Sequence, residues 1–420
     1  MAVGSFSAGL SGLNANSAYL SVIGNNLANI NTVGFKSSSV TFQDLVSQSV
    51  GGASVNPMQV GLGVTTGSIS PVFSQGAIEN TREATNVAIQ GNGFFIVRGA
   101  AGNSYTRAGN FTLDNDGKLV TPDGQYVQGF TAKDPVTGAV VASGQPTDIT
   151  VPLGTLRAPV ATTQIYTKTN LNAAATAGTV YSTGVQVYDS LGTAHVATIN
   201  FTKTAAGWDY EVTVPATEAT GAAGTTAGTV RLGPVGSITF DADGNMTAPA
   251  LDVALPGPTT WTNGAAVDPI TWDLFDANDE PSITGFASAS DTFSKTQNGS
   301  AAGQMSSITV TADGTIQATF GAGQTVAVAQ LALANFSNPK GLMKLGSSRY
   351  GESQAAGIAN VGVAGSGGRG TLIGSALEGS NVDIAQEFTN MILAQRGYQA
   401  NSKTITVSDE LLLETLNLKR

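Results

Sequence analysis

The sequence predicts a mainly β protein with long α-helices at both ends, the helices forming a coiled-coil-like core domain and nested β-rich outer domains lying between them. Three observations carry that expectation. Phe6, Leu13, Leu20 and Leu27 recur every seven residues near the N-terminus, with Leu10, Ile23 and Ile30 at adjoining helical positions. Ile384, Met391, Tyr398, Ile405 and Leu412 repeat the pattern near the C-terminus, joined by Phe388, Ile392 and Leu416. Between them lie short runs rich in Thr, Val and aromatic residues, broken by Asp-Gly and Gly-rich turns, as strands and hairpins require. A seven-residue apolar repeat keeps one seam of a helix turned toward a partner, so the ends are expected to pair, with each other or between subunits.

The N-terminal stripe holds no Asp, Glu, Lys or Arg before Lys36. It is also a weak helix former. Gly9, Gly12 and Gly24, with the interspersed Ser and Asn residues, cost about 5–8 kcal/mol relative to Ala. Even good helices of this length are marginal in water without packing, whereas burying each Leu or Ile returns about 1.5–3 kcal/mol. The segment is therefore expected to order on assembly.

After the first helix, residues 34–75 read as an extended linker with short strands, because Gly51-Gly52 and Asn56-Pro57 interrupt any long element. NVAIQGNGFFIV, residues 86–97, reads as two short strands about a Gly-Asn-Gly turn. Asp116-Gly117 and Asp123-Gly124 then mark hairpins. Strand signals continue through GVQVYDSLGTAHVATINF, GWDYEVTV and SITFDADGNM, and three more strands follow with turns at Asp313-Gly314 and near Gly321. Residues 351–375, with Gly365-Ser366-Gly367-Gly368, read as a second linker. The order implies nesting. Residues 1–33 and 376–420 form the helical core domain, 34–75 and 351–375 the linkers, 76–159 and 303–350 an inner β-domain, and 160–302 an outer β-domain inserted into it.

Composition narrows the function classes. The chain has 420 residues, enough for two or three domains, with 11% charged residues and 52 glycines, the make-up of a β-rich extracellular or structural protein. A net charge of −10 argues against nucleic acid as a partner. No run of about 18 apolar residues exists to insert into a membrane. The absence of cysteine removes disulfides, thiolate catalysis and Cys-based metal sites. The N-terminus lacks the basic region and cleavage site of a secretory signal, so export is expected by another route.

No catalytic, cofactor or metal site is expected. His195 is the single histidine and falls at an alternating position of a strand, which favours a structural role. Asp114-Asn115-Asp116-Gly117 and Asp241-Ala242-Asp243-Gly244 resemble the opening of a calcium loop but lack its spacing; they read as hairpin turns. Gly91-Asn92-Gly93 precedes no helix, which argues against a phosphate loop, and no G-x-S-x-G occurs. On the C-terminal helix Arg396, Lys403 and Glu410 also recur every seven residues, on a line about 150° from the apolar seam at 3.5 residues per turn. One helix is thus uncharged all round and suited to being enclosed, while the other keeps a water-facing side.

The terminal residues resemble the flagellar rod and hook axial protein family. The N-terminal signature runs FSAGLSGLNANSAYLSVIGNNLANINTVGFKSSSVTFQDL, in which Asn25, Asn26, Ala28, Asn29, Thr32, Gly34, Phe35 and Lys36 match the family motif. The C-terminal signature runs SALEGSNVDIAQEFTNMILAQRGYQANSKTITVSDELLLETLNL, in which Ser380, Asn381, Val382, Asp383, Gln395, Arg396, Tyr398, Ala400, Asn401, Asn417 and Leu418 match. NVAIQGNGFFIV and FTLDNDGKLVTPDGQYVQGF are similar to the family's shared β-domain. Distal rod members are typically shorter, so the length favours a hook subunit.

The resemblance implies a structural role without cofactors. Such subunits leave through the flagellar type III export apparatus, add beneath a hook cap, and stack into a helical homopolymer between the distal rod and the hook-filament junction proteins. Their terminal helices line a channel, which would be faced by Arg396, Lys403 and Glu410. A hook bends while transmitting twist, as a universal joint and export conduit. A straight rod subunit is the alternative within the family. An adhesin or a secreted glycan-active enzyme would share the β-rich middle but would leave the heptad ends unexplained.

Overall fold

The computed structural model describes residues 2–46, 48–49, 59–134, 138–154, 156–276, 278–321 and 323–417. It is mainly β, with one long helix near each terminus: α1, Ala2–Ala28, and α2, Ile384–Asn417. The chain divides into two compact units. The first comprises Met1–Leu153, Ser307–Ala318 and Val326–Arg420, and the second Gly154–Ser306 and Thr319–Thr325. No described helix is long and apolar enough to cross a membrane.

In the first unit, α1 closes through a tightened turn, in which Asn29 N–H donates to Asn26 O at 3.1 Å and Thr32 N–H to Asn29 O at 3.2 Å. Gly34 then takes φ 65°, a left-handed conformation that Gly adopts without steric cost. Asp383 opens α2, its Oδ1 accepting the Gln386 N–H at 3.1 Å as an N-cap.

Between these ends the described part of 34–75, read as an extended linker with short strands, holds a pair of strands. Ser38–Asp44 and Val64–Pro71 form an antiparallel arm, in register from Ser38 opposite Pro71 to Asp44 opposite Val64, with a bulge at Thr41/Phe42. The arm lies on α1: Val64 N–H donates to Ser11 Oγ at 3.1 Å, and Phe42 meets Tyr19 edge to face at 5.8 Å. Alternation of Val40 and Phe42 with polar residues suits a strand with one covered face. Gly51-Gly52 and Asn56-Pro57 lie outside the described residues.

Residues 351–375 are likewise knitted into the first unit. Thr371–Gly374 pairs with Val87–Gln90, and Asn360–Gly362 with Leu333–Asn335. The two strands about Gly91-Asn92-Gly93 therefore separate, because Phe94–Gly99 joins a different sheet, ordered Tyr126–Phe130, Phe94–Gly99, Gly102–Thr106, Arg349–Gly351, Met343–Gly346. Its core is aromatic: Phe94 meets Phe73, Phe336 and Tyr350 with ring centroids 5.2–5.9 Å apart, edge to face, the preferred geometry of ring quadrupoles.

The second unit holds a six-stranded sheet, whose first three strands, Val180–Tyr188, Ala194–Lys203 and Trp208–Pro215, form a meander. A five-stranded sheet is built on Gln164–Asn170, which lies parallel to Ile270–Asp273 and antiparallel to Asp291–Gln297. Phe201, Trp208 and Trp272 fill the core, and the buried Trp272 indole donates to Thr167 Oγ1 at 3.0 Å.

One hairpin of the first unit carries unfavourable turn chemistry. Met343–Gly346 and Arg349–Gly351 are joined by Ser347 and Ser348, at φ 51° and 54°, where a two-residue hairpin favours Asn or Gly. Ser347 is exposed. Replacing Ser347 by Gly relieves left-handed strain and is expected to stabilise the first unit by about 0.5–1 kcal/mol after the greater chain entropy of glycine is allowed for; a thermal melt showing an unchanged or lower midpoint contradicts this.

Candidate functional site

The site is the place where the two chain ends meet, and it begins with the helices. α1 and α2 approach through small residues. A Cβ placed on Gly9 would lie 3.2 Å from Ile405 Cγ1, one on Gly12 2.7 Å from Asn401 Nδ2, and one on Gly397 2.9 Å from Asn16 Oδ1. Ala15, Ala394 and Ser408 are buried along the same seam. Two of the glycines that weaken α1 as an isolated helix, Gly9 and Gly12, are thus positions that let a second helix come close, whereas Gly24 meets nothing within 4 Å.

Of the large heptad residues Ile405 lies in this seam, against Gly9, and most of the others lie beside it. Ile23 is buried; Leu13, Leu20, Leu27, Ile30, Met391 and Ile405 are half-buried. Phe6, Leu10, Ile384, Phe388, Ile392, Tyr398 and Leu412 are exposed, as are Leu393 at 62% and Leu411 at 57%. The side chain of Leu416 and all of Leu418 lie outside the described residues. The ends are expected to pair through these residues, with each other or between subunits; within one chain the contact line of α1 is rich in Gly, Ala and Asn, and most of the large side chains are left with exposed faces. Arg396, Lys403 and Glu410 are exposed and, at about 100° per residue, lie on the side of α2 turned away from Ala394, Gly397 and Asn401. Gln395 is exposed beside them.

Just below the helices, the signature residues of both ends clasp the backbone. The buried Asn26 accepts the Ser38 N–H at 2.9 Å and donates through Nδ2 to Ser38 O and Glu387 Oε1, each at 2.9 Å. Asn381 does the same from the other end, accepting Ser37 N–H at 2.8 Å and donating to Val72 O at 2.8 Å and Ser74 Oγ at 2.9 Å. Gly34 N–H donates to Glu378 O at 2.8 Å; a Cβ there would meet Ala108 N at 2.4 Å, so only glycine fits. Asn25, Asn29 and Thr32 hydrogen-bond in series across the turn at the end of α1. Phe35 lies under the Lys344 ammonium, 5.3 Å from the ring centroid. Val382 is half-buried and Asp383 exposed at its cap position.

The centre of the clasp is an ion cluster hidden from water. Lys36 Nζ lies 2.6 Å from Glu378 Oε1, both side chains fully buried. Arg107 Nη1 lies 3.3 Å from Glu378 Oε2. The remaining partners are backbone: Lys36 Nζ donates to Ser74 O at 2.7 Å, Gly76 N–H to Glu378 Oε1 at 3.0 Å, and Arg107 Nη2 to Gly91 O at 2.8 Å. Two cations share one carboxylate, and the Arg107 guanidinium also stands 5.4 Å from the Phe94 ring centroid, where the ring face offsets part of the excess positive charge. Burial pulls the Lys36 ammonium below the usual lysine range, and the Glu378 hydrogen bond and charge oppose that pull. Burial acts on Arg107 in the same direction, again opposed by Glu378.

Sequence reasoning took Lys36 as a motif letter and missed its partners. Nothing in SALEGSN marks Glu378 as the partner of Lys36. The DNDG and DADG turns are Asx-type: Asp114 Oδ1 accepts the N–H of Asp116 and Lys118, and Asp241 Oδ1 those of Asp243 and Asn245. Among the described residues no group of three or more His, Asp or Glu side chains is placed to hold a metal ion.

Four family models match the chain. They are the flagella basal body rod protein at residues 6–36, the flagellar hook protein FlgE/F/G D1 domain at 88–184, the flagellar basal body protein FlaE D2 domain at 155–300, and the flagellar basal body rod FlgEFG protein C-terminal at 373–418. The flagellar hook protein FlgE of Treponema pallidum is 36% identical over 98% of this chain and 98% of its own length. That of Escherichia coli is 35% identical over 99% of this chain and 100% of its own. The rod protein FlgG of Bacillus subtilis is 29% identical over 98% of this chain and 97% of its own. Among solved structures, Helicobacter pylori flagellar hook protein FlgE2 shares the fold at a TM-score of 0.50 and 15% identity, covering 70% of this chain and 98% of that one.

The ion cluster makes the first unit separately testable, because all three tryptophans, Trp208, Trp261 and Trp272, fall in the second unit. Glu378→Gln leaves two buried cations without a counter-charge and is expected to destabilise the first unit by about 3–5 kcal/mol, while Arg98→Ala, breaking the more exposed pair with Asp148, changes it by less than about 1 kcal/mol. Denaturation followed by far-UV circular dichroism reports the loss; tryptophan fluorescence is expected to keep its wild-type transition. Equal effects of the two substitutions contradict the assignment.

Proposed function

The chain belongs to the flagellar hook protein family, and from that membership we propose its working role: a structural subunit of the flagellar hook, outside the cell, that polymerises helically through its terminal helices into a flexible hollow tube. One observation supports the assembly step above the others. The small-residue seam joins α1 to α2 yet leaves Ile384, Phe388, Ile392, Leu393, Leu411 and Leu413 turned to solvent, an apolar surface that in a soluble monomer calls for a partner. Helices of neighbouring copies are that partner in this reading, each buried Leu or Ile returning about 1.5–3 kcal/mol.

The remaining residues then fall into roles. The exposed line Arg396, Lys403 and Glu410 faces a water-filled channel, and the uncharged α1 lies further out between helices. The clasp at Lys36, Glu378 and Asn381 fixes the helices to the β-structure, so torque passes from subunit to subunit through well-anchored elements. The second unit is rich in Thr and Gly, although Leu251 and Phe293 are among its exposed apolar side chains. Its contacts in the polymer are small and weakly apolar, and such interfaces slide readily; this suits a tube that bends as it turns, a universal joint. Distal rod, hook cap and junction proteins meet the ends of the tube, and the type III apparatus supplies the subunits. A rod subunit remains the second reading, favoured by the full-length match to a rod protein, which is lower in identity than the hook matches.

Ile392→Asp and Leu411→Asp alter exposed side chains only, so the monomer is expected to keep its stability within about 0.5 kcal/mol while salt-driven polymerisation is lost in sedimentation and electron microscopy. Normal tubes from either variant contradict the helical interface. Removing residues 165–297 joins Gln164 to Asn298, neighbours already linked by the Gln164 N–H to Asn298 Oδ1 bond of 3.0 Å. Tubes of changed curvature are expected, and a folded truncated monomer that fails to polymerise refutes the division of labour.

A further inference from the structure

His195 is the single histidine of the chain, and it is buried at one end of the second unit with a carboxylate on each ring nitrogen. Its Nδ1 lies 2.8 Å from Glu218 Oε2 and its Nε2 3.1 Å from Asp189 Oδ2. The ring stacks on Trp261 at a centroid distance of 4.0 Å and 19° between planes. Three segments converge here. Asp189 belongs to the turn that joins the first two strands of the meander, Glu218 follows the third, and Trp261 pairs with Ala219.

A neutral imidazole has one N–H and one lone pair. With a carboxylate at each nitrogen, the neutral ring would turn its lone pair on an anionic oxygen, whereas the imidazolium donates to both. Asp189 and Glu218 are the ionisable groups that meet the ring; Trp261 and Asn263, from the third segment, are neutral. The two carboxylates are not equivalent. Asp189 is fully buried and fixed, its Oδ1 accepting Leu191 N–H at 2.9 Å and Thr193 N–H at 2.8 Å, and its Oδ2 also accepting Asn263 Nδ2. Against the opposing effect of burial, hydrogen bonds from Asn263 and His195 hold that carboxyl below the usual range. The Glu218 carboxylate is 38% exposed and is free to turn to water.

We infer that His195 is a proton-operated clasp, an imidazolium that ties the Glu218 turn to the Asp189 turn and lets go of Glu218 first when its proton leaves. The retained proton sits on Nε2, facing Asp189. The released one comes from Nδ1, and Glu218 turns outward while Asp189 stays in place. The pH sensitivity thus built into this end of the second unit is independent of the assembly reading.

The single histidine gives a one-site readout. In full-length monomer labelled with 15N-histidine, both ring nitrogens are expected to resonate in the protonated range near neutral pH. On raising the pH, Nδ1 is expected to become pyridine-like while Nε2 keeps its proton. Tryptophan fluorescence should rise with the same midpoint as the stacked cation is lost from Trp261. Glu218→Gln leaves the Asp189 bonds intact and should give the neutral Nε2–H ring already at neutral pH. A pyridine-like nitrogen in the wild type at neutral pH overturns the inference, as does survival of the Nδ1–H tautomer or a doubly protonated ring in the Glu218→Gln variant.

Discussion

Everything at the working end of this molecule hangs on one buried carboxylate. Glu378 takes Lys36 from just after α1 and Arg107 from the β-structure, and accepts the Gly76 N–H besides. Desolvating three charges is costly, and a well-packed apolar cluster would serve stability as well or better. What the cluster adds is uniqueness. An apolar contact tolerates slippage, whereas an ammonium, a guanidinium and a carboxylate locked to named carbonyls and N–H groups fit one arrangement of the chain. Asn26 and Asn381 reinforce it with the same logic: Asn381 is satisfied on both its oxygen and its nitrogen by backbone of the opposite end of the chain, and Asn26 by the Ser38 backbone together with the Glu387 carboxylate of α2. Two chain ends more than three hundred residues apart are thereby held in a fixed register from which the helices can project.

The helices themselves answer two demands that conflict. In the proposed assembly they recognise each other within one chain and also keep apolar surface for further contacts. Small residues resolve the conflict. Gly9, Gly12, Ala15, Ala394 and Gly397 permit close approach along a narrow line, which leaves large side chains such as Phe388 and Leu411 uncommitted. The propensity lost at the glycines is the cost of that narrow contact, and it makes α1 dependent on its surroundings. A helix of this kind is easily unfolded alone and firmly held once enclosed.

Much of this was legible in the sequence where the signal is local. The heptads marked both helices, and Asp-Gly pairs marked hairpins at Asp116-Gly117, Asp123-Gly124 and Asp241–Gly244, because turn chemistry and side-chain period act within a few residues. The glycines of α1 were read as defects, since propensity is counted along the chain while the benefit of a missing Cβ depends on Asn401 and Ile405 across the seam. Residues 34–75 read as an extended linker with short strands, but the partnership of Ser38–Asp44 with Val64–Pro71 was not legible, because the two segments lie about twenty residues apart with no short hairpin turn that links them. Lys36, Arg107 and Glu378 carry no pattern that links them; only the folded path brings them together. His195 was assigned a structural role from its place in a strand, and the acids that meet its ring lie close by in sequence, at Asp189 and Glu218, where a search for partners on the loops flanking the strand would have reached them.

Hydrogen exchange on the monomer and on the polymer, compared amide by amide, tests the central claim that a rigid clasp presents helices completed only by assembly. The account predicts slow exchange in both states for the clasp amides of Gly34, Ser37, Ser38 and Gly76, and exchange in α1 and the outer half of α2 that is fast in the monomer and strongly slowed in the polymer. Helical amides protected equally in both states, or clasp amides that exchange freely in the monomer, would contradict it.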